Sequence, residues 1–140
     1  MKGQQIMTQT TGQALSATSR GIADRYMAVW NESDPAARRV AVASLWAPDG
    51  VEFLEGGTRY GGHEELTDRV TRAYEAFVAT GKYDVTSAGD IAEHDDLITF
   101  TAQLTTPDGQ VDWAARVFVL VGPDGLIRED YQLTVQPLPA

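Results

Sequence analysis

Cysteine is absent from this 140-residue chain, histidine occurs twice, and cations are scarce: 11 Lys+Arg stand against 20 Asp+Glu, a formal net charge of -9. Without cysteine there is no disulfide framework, no thiolate zinc site and no cysteine nucleophile, a composition that suits a reducing cytoplasm, the expected location. The shortage of basic residues argues against nucleic acid or an anionic membrane surface as partner, since both demand positive charge. No apolar run reaches the roughly 18 residues of a transmembrane helix, and the N-terminus lacks a hydrophobic signal core. The two histidines stand apart, His63 at a helix start behind two glycines and His94 in a turn. No metal spacing, phosphate loop, nucleotide fingerprint or serine triad is present, so neither metal nor cofactor is expected.

What is present is a clear change of period along the chain. Residues 1–15, rich in Gln, Thr and Gly, have little to bury and read as a flexible extension, leaving 16–140 as one domain. From Ser16 to Asn31, Ile22, Tyr26 and Trp30 recur at helical spacing. Asp34-Pro35 starts a second helix, with the aspartate as cap and proline at the first position, and Val40, Ala41, Ala43, Ser44 and Leu45 form its small-residue face. The stretch Trp46 to Leu66 is the most informative: a Pro-Asp-Gly turn, a short strand at Val51 to Leu54, a glycine-rich return and a new helix from about His63 to Thr80, closed by Gly81. Alternation then takes over in Tyr83–Glu93, Leu97–Thr106, Val111–Val121 and Leu126–Val135, joined by short turns that dictate an antiparallel meander. Val111–Val121 is apolar on both faces except for Asp112 and Arg116. One face suits the helices; the other, with Phe118, Leu120, Tyr131, Leu133 and Val135, suits a second copy of the chain, giving a homodimer through the outer sheet face.

Ala23-Asp-Arg-Tyr26, Trp46-Ala-Pro-Asp-Gly-Val51, Tyr60-Gly-Gly-His-Glu-Glu-Leu66 and Gly125-Leu-Ile-Arg-Glu-Asp-Tyr-Gln-Leu-Thr134 together resemble the nuclear transport factor 2-like superfamily, in its SnoaL-like and ketosteroid isomerase-like branch. The resemblance spans residues 16 to 135. It implies an α+β fold, a cone-shaped barrel in which three N-terminal helices pack on a curved, mostly antiparallel sheet around a pocket, usually in a dimer. That fold hosts isomerases, hydrolases, dehydratases, cyclases and proteins that catalyse nothing, so activity has to be read from the site.

Pairing Val121 with Leu126 sets Val117 opposite Asp130, Ala115 opposite Gln132 and Trp113 opposite Thr134. If that parity faces the helices, Asp130 and Gln132 look into the cone beside Trp113, joined by Thr99, Thr101 and Gln103. The opposite assignment, with Tyr131 inward, is equally compatible with the polarity pattern. Asp130 is the expected proton acceptor or water orienter, because a carboxylate among apolar groups has its pKa raised; a structural pairing with Arg116 or Arg128 is the plain alternative. Tyr26 matches the phenol that, in the isomerases, donates to a developing oxyanion. Trp30, Phe53, Tyr74, Thr101, Trp113 and Gln132 complete the expected pocket. The resemblance also implies departures: the isomerase acid of the first strand falls at Leu54, its second acid at Val117, and the Asp-Arg-Asp set of limonene-type epoxide hydrolases at Thr99, Thr101 and Gln132. Two functions follow: a cofactor-independent enzyme of isomerase, cyclase, dehydratase or hydrolase type acting on a small, largely apolar, oxygen-bearing molecule, or a non-catalytic dimeric ligand-binding protein.

Overall fold

A computed structural model describes residues 16–140; the expected extension at 1–15 lies outside the described residues. Helix α1 (Ala17–Asn31) begins where Ser16 Oγ accepts from the Ser19 amide at 3.0 Å, and it buries Ile22, Ala23, Tyr26, Val29 and Trp30. Its end is tied to the sheet by Asn31, whose amide group exchanges two 2.8 Å hydrogen bonds with the backbone of Val85. Helix α2 (Pro35–Leu45) starts as expected, Asp34 accepting from the Ala37 amide at 2.9 Å. Its inward face differs from the expected small-residue stripe. Arg38, Val42 and Leu45 are buried while Val40 is 67% exposed, because the Arg38 guanidinium turns in to cap the carbonyl of Glu32 and covers the Tyr74 ring at 4.6 Å.

Strand β1 (Trp46–Phe53) starts five residues before the expected strand and carries the Pro-Asp-Gly turn within it as an irregularity. Gly50 makes this possible: a Cβ there would lie 2.9 Å from the carbonyl of Ile127. A one-turn 3-10 helix (Glu55–Gly57) and a short strand β2 (Arg59–Gly61), absent from the sequence reading, return the chain to α3 (Gly62–Ala73). That helix loosens into a π turn over Tyr74–Val78 before Gly81, in the left-handed region at φ 82°, ends it. The expected strand Tyr83–Glu93 is two pieces, β3 (Asp84–Ser87) and β4 (Ala92–His94), parted by a bend at Gly89-Asp90. Strands β5 (Leu97–Thr105), β6 (Val111–Val121) and β7 (Ile127–Gln136) follow.

The sheet order is β2-β1-β7-β6-β5-β3, with β4 also on β5. The meander holds for β5-β6-β7, but β1 joins β7 in parallel, so the seven-stranded sheet is mixed. It curves around the helices without closing into a barrel. Ile98, Phe100 and Ala102 of β5, Val117 and Val119 of β6 and Ile127 of β7 meet α1, α2 and α3 in one buried core. At roughly 25 cal/mol per Å² of apolar surface, each such fully buried side chain contributes about 1.5–3 kcal/mol. No helix among the described residues is long and apolar enough to cross a membrane.

Candidate functional site

The site begins with strand register. Glu52 and Asp130 are direct neighbours across the parallel β1·β7 pair, so their side chains leave the sheet on the same face, toward α1. Gln132, two residues on, shares that face. All three are buried, Glu52 and Asp130 completely. Above them Tyr26, on the inward stripe of α1, is also fully buried and places its hydroxyl 2.9 Å from Asp130 Oδ2 and 3.3 Å from Glu52 Oε2. Gln132 Nε2 donates to the Tyr26 hydroxyl at 2.8 Å and to Glu52 Oε2 at 3.1 Å. The indole N–H of Trp46 donates to Asp130 Oδ1 at 2.9 Å, and Arg69 Nε of α3 donates to Glu52 Oε1 at 2.8 Å. Every buried side-chain polar atom among the described residues has a partner.

Two carboxyl groups this close cannot both hold charge cheaply. Burial first, and then the charge of Glu52, push the Asp130 carboxyl well above the usual carboxylate range. The Arg69 guanidinium, 2.8 Å from Glu52 Oε1, places the cation on the Glu52 side of the pair. Burial, with the nearby acids adding to it, also raises the Tyr26 hydroxyl, so this phenol is a neutral donor and not a phenolate. Together the groups form a connected cluster: an acid that holds its proton more tightly than usual, a phenol that touches both carboxyls, and an arginine ion-paired with Glu52.

Tyr26, Gln132 and Arg69 also line a cavity of about 150 Å³ that is partly open to the surface. Trp30, Trp113, Phe77, Val85 and Leu104 supply apolar wall, and Leu138 of the C-terminal segment stands at the rim. Of the expected pocket residues, Trp30, Trp113 and Gln132 line this cavity with Tyr26. Asp130 lies behind Tyr26, facing the helices as expected but not on the cavity wall, and neither Arg116 nor Arg128 pairs with it. Three others are elsewhere. Phe53 is on the outer face, stacked on its register neighbour Tyr131 with ring centroids 4.8 Å apart. Tyr74 packs under Arg38. Thr101 is also on the outer face, where it bonds Asp90 and Arg116, and Thr99 and Gln103 share that side because Ile98, Phe100, Ala102 and Leu104 point inward.

Irregularities in the ladders explain both the errors and the successes. A bulge between Leu104 and Thr105 pairs Thr101 with Arg116 and not with Ala115, and a one-residue shift exchanges the two faces. On β7 the actual partners are Val119 for Asp130 and Val117 for Gln132. That two-residue shift keeps their face. Neither Glu52 nor Arg69 was among the expected site residues. Arg69 falls at i+3 from Leu66 and one before Val70, so its place on the buried stripe of α3 was visible; Glu52 has the same parity as Leu54, the position to which the resemblance drew attention. His63 is structural: its Nε2 lies 2.7 Å from the Trp46 carbonyl and fixes the start of α3 against β1.

No protein-family model and no curated protein matches the sequence. Solved structures do match. A SnoaL-like family protein of Agrobacterium tumefaciens, named provisionally an isomerase, superposes with a TM-score of 0.76 at 24% identity over 85% of this chain and 98% of its own. The chain has the nuclear transport factor 2-like fold. A nuclear transport factor 2-like protein from Exiguobacterium matches at TM-score 0.58 and 18% identity, covering 81% and 97% of the two chains. A protein of Sinorhizobium meliloti, named provisionally a polyketide cyclase, matches at TM-score 0.61 and 18% identity, covering 80% and 93%. Likeness at this level of identity shows the fold alone, so a function has to be read from the chain's own residues, of which Tyr26, Glu52, Arg69, Asp130 and Gln132 form the buried polar cluster.

Proposed function

We propose that the protein binds a small, largely apolar, oxygen-bearing molecule in the cavity and acts on it without a cofactor, as an enzyme of isomerase, cyclase, dehydratase or hydrolase type. The observation that carries this reading is Tyr26, which lines the cavity and whose hydroxyl donates to Asp130 at 2.9 Å. In this reading Tyr26 turns its proton to a ligand oxygen that gains negative charge, while the proton on Asp130 passes to the phenol oxygen in its place. Glu52 and Arg69 hold the remaining charge fixed, so the transfer needs little reorganisation. A screen of steroids, terpenoids and polyketide-like compounds by thermal shift, followed by turnover assays of the hits, tests it. Tyr26→Phe and Asp130→Asn are each expected to retain binding and lower turnover by roughly 10²-fold or more. Turnover that survives both substitutions rules the reading out.

One observation favours a second reading. Neither carboxylate lines the cavity, as suits a protein that holds its ligand and does no chemistry on it. Hits that bind tightly and are recovered unchanged, with affinity but no turnover dependent on Tyr26, select it. Under either reading we propose a homodimer through the outer sheet face, supported by the exposure of Tyr131 (36%), Leu133 (47%) and Val135 (63%) on one side of β7. Sedimentation of the wild type and of Leu133→Glu decides this: a dimer that the substitution dissociates is expected, and a monomeric wild type contradicts it.

A further inference from the structure

The hydrogen-bonding capacity at the polar end of the cavity is unevenly spent. Both N–H groups of the Gln132 amide are used, on Tyr26 and Glu52, and its oxygen accepts from Arg69 Nη2 at 3.4 Å. The single phenol proton of Tyr26 is used on Asp130. Arg69 is different. Of its five N–H groups, Nε serves Glu52 and one on Nη2 serves Gln132, while Nη1 makes no hydrogen bond among the described residues. Its plane is set by the Trp30 ring at 5.0 Å and the Tyr60 ring at 5.7 Å, and it is part of the cavity wall. The unspent N–H groups of this cluster are therefore on Arg69, and a ligand that meets them has to bring the acceptor.

Charge and volume narrow the class. The Arg69 cation is already matched by Glu52 at 2.8 Å, so an anionic ligand adds uncompensated charge beside a buried carboxylate, and a cationic one faces the guanidinium. A cavity of about 150 Å³ is the size that accepts a benzene-like ring; four fused rings do not fit within it. Resting on the reading of the cavity given above, we propose that its ligand is an uncharged, single-ring-sized molecule with one carbonyl or ether oxygen, and that Arg69 reads that oxygen before Tyr26 acts on it.

The test uses the full chain and four probes: cyclohexanone, its hydrocarbon isostere methylenecyclohexane, cyclohexanecarboxylate and a four-ring steroid ketone. Binding is followed through the indole resonances of Trp30 and Trp113, and the carbonyl stretch of bound cyclohexanone is recorded by infrared spectroscopy. The two uncharged single-ring probes are expected to bind more tightly than the carboxylate and the steroid, and the bound carbonyl stretch to lie below its value in alkane solvent. In Arg69→Lys, which retains the charge beside Glu52, the ratio of ketone to hydrocarbon affinity is expected to fall about tenfold. An unshifted carbonyl in the wild type, or a carboxylate or steroid that binds most tightly, overturns the inference, and these wild-type readouts hold even if the variant fails to fold. A steroid or carboxylate whose turnover depends on Tyr26 overturns it while leaving the Tyr26–Asp130 chemistry intact. Ketone binding that meets every expectation, with turnover unaffected by Tyr26→Phe, supports it and removes the catalytic reading instead.

Discussion

Asp130→Asn isolates the proton that burial and the neighbouring Glu52 favour on Asp130. Asparagine keeps the oxygen that accepts from Trp46 at 2.9 Å and offers N–H groups in place of the acid's O–H, while the Tyr26 hydroxyl, which an amide nitrogen cannot accept, turns to Glu52 Oε2 at 3.3 Å. The difference lies in the unfolded chain, where aspartate titrates near its ordinary value of 3.8. Because burial and Glu52 raise the folded value, there is a window of pH in which the folded state retains a proton the unfolded state has released. Across that window the unfolded state binds fewer protons, so the contribution of Asp130 to stability falls as pH rises, by about 1.4 kcal/mol for each pH unit. Asparagine has no such loss. Urea unfolding of wild type and variant at a series of pH values from about 4 upward should show two proteins that differ by no more than about 1 kcal/mol at the acid end. The variant then gains on the wild type by up to about 1.4 kcal/mol per unit, with unchanged denaturant dependence. Titrations of groups remote from Asp130, Glu52 and Tyr26 are common to both chains and cancel. A difference that stays flat, or one that grows in favour of the wild type, refutes the assignment of the proton to Asp130.

Three other outcomes follow from the geometry. Tyr26→Phe leaves Gln132 Nε2 and Asp130 Oδ2 short of a partner in a buried site and should cost about 1–3 kcal/mol in urea unfolding. Gly50→Ala drives a methyl to within 2.9 Å of the Ile127 carbonyl, where β1 meets β7, and should destabilise by about 1–3 kcal/mol, whereas Gly21→Ala, with no atom within 4 Å of the new methyl, serves as the unstrained control. Thr101→Val, on the outer face, should leave cavity ligand affinity unchanged in the same resonance titration; a loss of affinity would place Thr101 at the cavity after all.

Local chemistry made much of this architecture legible. Ser16, Asp34-Pro35 and Gly81 mark helix ends through rules that need no tertiary information, and the inward stripes of α1 and α3 follow from helical spacing. Sheet register is a different matter. The bulge at Leu104/Thr105 is a single-residue event with no strong sequence mark, yet it decides that Thr101 faces outward, while a turn that pairs Val121 with Ile127 and the bulge beside it together move Asp130 by two positions and leave its face unaltered. The parallel pairing of β1 with β7 joins segments far apart in sequence, so nothing near Glu52 announces that Asp130 is its neighbour. Reading Val51 to Leu54 as a short strand gave apolar Val51 and Phe53 the inward role by default; the opposite parity is buried because β1 begins at Trp46 and its Glu52 has Arg69 to meet. Arg69 could have been noticed. A cation on an otherwise buried helical stripe needs a partner, and that need points to an inward acid.

The most direct test of the account is the infrared spectrum of the folded protein at neutral pH, compared between wild type and Asp130→Asn. The account predicts one protonated carboxylic acid band in the wild type that disappears in the variant. A wild-type spectrum in which every side-chain carboxyl is ionised would contradict it.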